Sequence, residues 1–333
     1  MRLLLAFISL CGTLAAADDV WLRPQAPGDP LIWGRKDGLV FGLPSPGGLP
    51  GPRGLIRVGV FSKDHSRPEL VNFIAIEPVI SGPGPRRARM AFSELEPSQL
   101  DPGKRGKRLT LKAHPRLLRS RGIEQLQVPI AVERFSANGA HVFVVASIFS
   151  DQPNELHLSV AAYPDSAPIE ELTLTATMGN FERLRVLWLK DRLVRSDQLY
   201  AGYREDNFIE HENYMLDEML RTAGGDAIAL ATSNETSPAR VFSTTAAPHW
   251  HYQLPRLTQY WKVPASYIEP DLRVRVNGRR VYWASHDPIP GGPAFENFEV
   301  RQRYRPSQIF IFGLTTEEPR QFQPPIRHLP KEQ

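Results

Sequence analysis

The sequence predicts an all-β protein: a large β-sandwich or super-sandwich with one short helix and long Pro/Gly-rich loops. Three observations predict it. Short runs rich in β-branched and aromatic residues recur along the chain from Leu55 onward, as the strands of a layered β fold do. Turn formers separate them, with 24 glycines and 31 prolines among 333 residues. They include Asn138-Gly139 and Asn277-Gly278, the dipeptide favoured in tight hairpins. Helical periodicity is confined to Tyr214 to Thr222, where Met215/Met219 and Leu216/Leu220 recur at i,i+4 before Gly224-Gly225.

The elements follow in order. Residues 1–17 read as a signal peptide: Arg2 gives a positive start, Leu3 to Leu10 an apolar stretch, and Ala15-Ala16-Ala17 a small-residue cleavage site. Cleavage near Ala17 implies a periplasmic or secreted protein. Cys11, the single cysteine, lies in that leader, and the bulky Leu10 before it disfavours lipid attachment. A chain starting at Asp18 has no disulfide, thiol chemistry or cysteine-ligated zinc, so its stability rests on a large hydrophobic core. No later apolar run reaches the ~18 residues of a membrane span, so no transmembrane span is expected.

Residues 18–54 are expected as an extended Pro/Gly-rich arm and 55–316 as one β-sandwich domain. Its first strands are Leu55–Phe61 and Val71–Glu77. Ile130–Glu133 and His141–Phe149 pair through Asn138-Gly139, and Leu156–Val160, Ile169–Thr177 and Val186–Leu189 follow. Ala227–Ala231, Leu272–Val276, Val281–Trp283, Phe298–Arg301 and Ile309–Phe312 close the domain. A hairpin is expected at Asn277-Gly278, with Arg273 and Arg275 facing one way and Leu272, Val274 and Val276 the other. Residues 317–333 form a polar, proline-rich tail expected to be extended or disordered.

Candidate chemistry gathers in a few stretches. Lys104 to Arg121 holds nine basic or imidazole side chains and no acid, a field suited to an anionic polysaccharide or membrane surface. Nucleic acid is not expected as a partner, because the net charge is only +4 and the run lacks interleaved aromatics for base stacking. His211 lies between Glu210 and Glu212, and either carboxylate would fix its tautomer. On a strand, His249 and His251 share one face ~6.5–7 Å apart, with Trp250 and Tyr252 on the other. Two imidazoles make half a metal site or an acid–base pair; no metal is assigned, and the cofactor is left unknown. Tyr260 and Trp261 offer ring faces to a sugar, while Lys190 and Arg192 would hold its anionic groups. The Gly-x-Ser-x-Gly elbow, the phosphate loop, His-Glu-x-x-His and the calcium loop are all missing, which disfavours serine hydrolases, nucleotide enzymes and zincins.

Met178 to Arg185, Leu187 to Asp191 and the closing Phe295-Glu296-Asn297-Phe298-Glu299 resemble segments of uncharacterised exported bacterial β-rich proteins. In size and strand density the chain is also similar to the galactose mutarotase-like super-sandwich group, which includes epimerases and polysaccharide lyases. That resemblance implies a carbohydrate ligand and transfers no catalytic residue.

The expectation is an exported protein that binds or processes a glycan, with an anionic one among the candidates, by lyase- or epimerase-like chemistry. His249, His251 and His211 would carry the acid–base work; Lys190, Arg192, Glu210, Glu212, Trp250, Tyr252, Tyr260 and Trp261 would bind substrate. The alternative is a non-catalytic envelope or interaction protein. The two separate on geometry, since the first requires these residues to converge on one hollow.

Overall fold

The computed structural model describes residues 20–44, 54–62, 67–80, 89–90, 108–177, 183–233, 257–281, 287–289, 291–323 and 325–330. His249, Trp250, His251 and Tyr252 lie outside them.

Along the described residues run β1 (Trp21–Leu22), β2 (Ile32–Arg35), β3 (Leu39–Gly42), β4 (Ile56–Ser62), β5 (Arg67–Ile80) and β6 (Arg89–Met90). Next come β7 (Leu109–Leu111), β8 (Arg116–Ser120), β9 (Ile123–Val132), β10 (Val142–Phe149), β11 (Gln152–Ala162) and β12 (Ile169–Thr177). Strands β13 (Val186–Leu189) and β14 (Arg192–Arg195) precede the one-turn helix α1 (Ser196–Leu199). The chain continues through β15 (Glu212–Met215), β16 (Leu220–Thr222), β17 (Ala227–Thr232) and β18 (Thr258–Val263). It closes with β19 (Arg273–Arg279), β20 (Ala294–Arg303), β21 (Gln308–Thr315) and β22 (Ile326–Arg327).

These strands make two antiparallel sheets, as expected for a β-sandwich. The first runs β1-β2-β3-β4-β5-β12-β20-β19-β15, with β6 on β5. The second runs β14-β13-β17-β18-β21-β11-β10-β9-β7, with β8 also on β9, and β16 and β22 joined at β17. Period-2 alternation sends Ile74, Ile76, Leu172, Leu174, Val274, Val276, Phe298 and Val300 inward from the first sheet. Val128, Ile130, Val144, Leu156, Leu158, Trp261, Phe310 and Phe312 meet them from the second. Each such side chain contributes about 1.5–3 kcal/mol by leaving water, so this single layer meets the need for a large core without disulfides.

A second, smaller cluster lies on the outer side of the second sheet, where Val186, Trp188, Leu220, Ile228, Leu230 and Tyr260 pack with Phe322 and Ile326. The proline-rich segment after Glu317 is therefore docked and not merely extended: Phe322 and Ile326 are buried, and β22 pairs with β16. At the other end, β1–β3 lie within the stretch expected as an arm, yet they join the first sheet through β3 and β4.

Two local expectations change. Tyr214 to Thr222 is a strand, a turn and a strand: Tyr214 pairs with Val274 and Leu220 with Ile228. Between them the Glu218 N–H donates to the Met215 carbonyl at 2.9 Å, and the Met215 N–H donates to Glu218 Oε2 at 2.9 Å. The i,i+4 apolar spacing here places residues on two strands flanking a turn, and the short helix forms instead at Ser196–Leu199. Asn277-Gly278 is a bulge inside β19 and not a hairpin turn. Glycine is needed there because a Cβ would sit 2.4 Å from Cε2 of the Tyr200 ring. Asn138-Gly139 does lie in the β9–β10 connection, with Gly139 at φ 78° and its N–H bonded to the Phe135 carbonyl. Val281 bridges Pro288; Tyr282 and Trp283 lie outside the described residues.

Candidate functional site

The alternation that fills the core also sets what the first sheet presents on its other side. Registered neighbours form rows across the strands. Ala75, Thr175, Glu299, Arg275 and Asn213 make one row; Glu77, Thr173, Arg301, Arg273 and Met215 make the next. A third row holds Arg57, Phe73, Thr177, Asn297 and Asn277. A solvated sheet face would leave such polar side chains exposed. Here Glu77, Thr173, Thr175, Thr177, Asn277 and Glu299 are all buried. The face is a layer of charge and hydrogen-bonding groups, enclosed over β5, β12 and β20 and open at the β15 edge, where Asn213 and Met215 are exposed.

Glu299 is its centre. The carboxylate is 2% exposed, His211 Nε2 lies 2.7 Å from Oε1, and Arg275 Nη1 lies 3.0 Å from Oε2. His211, just before β15, falls on this face by the same alternation that puts Asn213 opposite Arg275. Its side chain is 27% exposed, so the ring bridges a buried carboxylate and the outside. Two rows along β12, Glu171 accepts hydrogen bonds from Arg273 Nη2 at 2.7 Å and Arg301 Nε at 2.8 Å, both from the row between. Burial pushes the Glu171 carboxyl up, but the two guanidinium groups outweigh it and bring it below its ordinary value. Thr175 donates to Glu77 Oε2 at 2.8 Å. Burial lowers Arg275 despite Glu299, and it lowers Arg57. The buried hydroxyls of Thr173 and Thr177 have no partner among the described residues.

The other expected site residues scatter. Glu210 and Glu212 flank His211 but are exposed, and the histidine takes its carboxylate from β20 instead. Arg192 pairs with Glu218 and lies 5.6 Å from the Tyr214 ring centroid; burial pushes that phenol up to about 12. Lys190 is exposed and borders a separate hollow of 250 Å³ with Asp217 and Arg221. Trp261 is fully buried between the sheets, its Nε1 donating to the Phe298 carbonyl at 2.8 Å. It has no ring face for a sugar, because strand alternation turns it inward and Tyr260 outward.

Tyr260 belongs to a second constellation, on the outer side of the second sheet. Its hydroxyl donates to Glu155 Oε1 at 2.8 Å, and Lys262 Nζ donates to both Glu155 oxygens at 2.5 and 2.7 Å. His157 Nε2 is 3.5 Å from Glu155 and 2.9 Å from Gln152 Oε1. Burial pushes the Glu155 carboxyl up, but His157, Lys262 and Tyr260 overcome it and hold it at about 2. Burial and the Glu155 charge raise the Tyr260 phenol well above its ordinary value. Glu155, Tyr260 and Lys262 border a 270 Å³ hollow with Asp151, Thr222 and Phe322. With Tyr260 and Lys262 both turned onto Glu155, this is a closed ion cluster on a cavity wall.

Sequence reading missed Glu299, Glu171 and Glu155. The signal for the first two was present: Arg273 and Arg275 alternate on one strand, while Glu299 and Arg301 alternate on another. Among the described residues no group of three His, Cys, Asp or Glu side chains is placed to hold a metal ion, and no helix is long and apolar enough to cross a membrane. The fold and the enclosed charged layer define an antiparallel β-sandwich with a polar face centred on a histidine–glutamate pair. No protein-family model matches the chain, and no curated protein matches its sequence.

Proposed function

We propose that this is an exported protein that binds a carboxylate-bearing glycan on the outer face of the first sheet and moves a proton on it. The observation that carries this reading is the contact between the partly exposed His211 ring and the buried Glu299 carboxylate. A carboxylate can only accept, so Nε2 carries the ring proton and Nδ1 is left to take or give one. Arg273, Arg275 and Arg301, paired in the free protein with Glu171 and Glu299, are the groups that would turn to a sugar carboxylate, making the proton on the adjacent carbon more acidic. Proton abstraction next to the carboxylate is the step shared by β-elimination and epimerisation. Export rests on the leader-like residues 1–17, with removal after Ala17.

The test is a screen of polyuronates, following unsaturated-uronate absorbance for elimination and deuterium uptake from heavy water for epimerisation. Replacing His211 with Ala is expected to cut turnover by about 10²-fold or more. The fold should survive at a cost of about 1–3 kcal/mol for the lost hydrogen bond, since the Glu299–Arg275 ion pair stays intact. Unchanged turnover in that variant, or neither signal with any polyuronate, contradicts the reading and favours a non-catalytic interaction protein.

A further inference from the structure

The basic run has a structural setting that the first-sheet site does not use. Its described part, from Arg108, forms β7 and β8, which pair side by side along β9. Arg121 at φ 50° and Gly122 at φ 81° make the tight turn between β8 and β9. Around that turn the usual burial pattern fails. Six large apolar side chains are exposed among the described residues; Leu118 and Ile123 flank the turn, and Leu111 lies farther along β9, opposite Ile130.

Leu118 and Ile123 flank the turn and edge a shallow 400 Å³ hollow on the outer side of the second sheet, with Phe149 and His157 as its inner wall. Arg116, Arg119 and Arg121, on β8 and its turn, are exposed alongside. Glu124 takes Arg119 at 2.6 Å, whereas Arg116 and Arg121 form no ion pair among the described residues. Asp151 is the acid bordering the hollow.

We propose that the β8–β9 hairpin docks the protein on an anionic lipid surface, with Leu118 and Ile123 entering the headgroup–acyl boundary and Arg116 and Arg121 meeting lipid phosphates. The pairing of chemistries selects this occupant. An anionic polysaccharide would answer the arginines but offers no apolar phase for exposed leucine and isoleucine. A bilayer with acidic headgroups answers both, and basic groups beside an apolar tip are the usual composition of an interfacial contact.

Co-sedimentation of the full chain with phosphatidylcholine vesicles, with and without phosphatidylglycerol, tests this. Binding is expected only with phosphatidylglycerol and is expected to weaken as salt is raised. Arg116→Glu with Arg121→Glu should reduce it at least tenfold. Leu118→Ser with Ile123→Ser, which leaves the charge alone, should reduce it similarly. Since surface changes can perturb folding, Ile123→Trp provides a direct readout, its emission shifting to the blue on the acidic vesicles alone. His211→Ala should bind vesicles as the parent does, so failure here is separable from failure of the glycan reading. Equal binding to neutral vesicles, no blue shift, or binding to soluble polygalacturonate with none to vesicles overturns the proposal.

Discussion

Replacing Glu299 with Ala is expected to cost about 3–5 kcal/mol of stability, because it leaves the Arg275 guanidinium buried without its counter-charge. Glu299 is 2% exposed and the Arg275 side chain 13%, so water cannot readily stand in for the lost carboxylate. Burial already lowers the Arg275 guanidinium even with Glu299 present; without it only the weaker influence of Glu77 opposes that burial. The same substitution frees the His211 ring, so any proton-transfer activity should fall along with the melting temperature. Removing both charges, with Glu299→Gln and Arg275→Met, should be far milder than removing one, since buried pairs are costly chiefly when broken. Chemical unfolding of the two single variants and the double variant measures this as a coupling energy. A cost below about 1 kcal/mol for Glu299→Ala would mean that the layer is wetter than its burial implies.

Acid should weaken the fold through Glu155. Its carboxyl is held at about 2 against an ordinary 4.5, so between those values the unfolded chain binds the proton and the folded chain does not. The contribution, about 3 kcal/mol, is therefore complete above pH 4.5–5.5 and lost as pH falls toward 2. Glu171, also lowered, acts in the same direction. Urea midpoints recorded from pH 6 to pH 2.5 should fall more steeply for the parent than for Glu155→Gln, and the two curves should converge at the acid end. At pH 6 the variant should already be less stable, because Lys262 loses its charged partner. Parallel curves would mean that the cluster does not hold Glu155 ionised.

The strand content was legible because alternation and turn residues are local signals. Ile169–Thr177 and Val186–Leu189 were expected at the bounds where β12 and β13 occur. Tyr214 to Thr222 misled because i,i+4 apolar spacing also fits a short strand, a turn and another strand. Asn277-Gly278 misled because the glycine serves the Tyr200 ring, a contact set by residues 78 positions apart in sequence. The charged layer was half legible. Arg273 and Arg275 were assigned to a common face, yet their partners Glu171 and Glu299 come from β12 and β20, and no local rule joins them. His211 was singled out for its flanking acids, whereas its carboxylate partner lies 88 residues away. Trp261 illustrates the opposite error: an aromatic beside polar residues read as a sugar platform, while its strand parity turned it into the core. His249 and His251 lie outside the described residues, so the sugar reading rests on His211 and the arginine rows.

The central claim is that the outer face of the first sheet receives an acidic sugar. A crystal of the protein soaked in a galacturonate trimer addresses it most directly. The account predicts a sugar carboxylate about 3 Å from the guanidinium groups of Arg273, Arg275 or Arg301, with a ring carbon within reach of His211. Sugar bound instead in the hollow beside Tyr260, with the Glu299 face unoccupied, would contradict it.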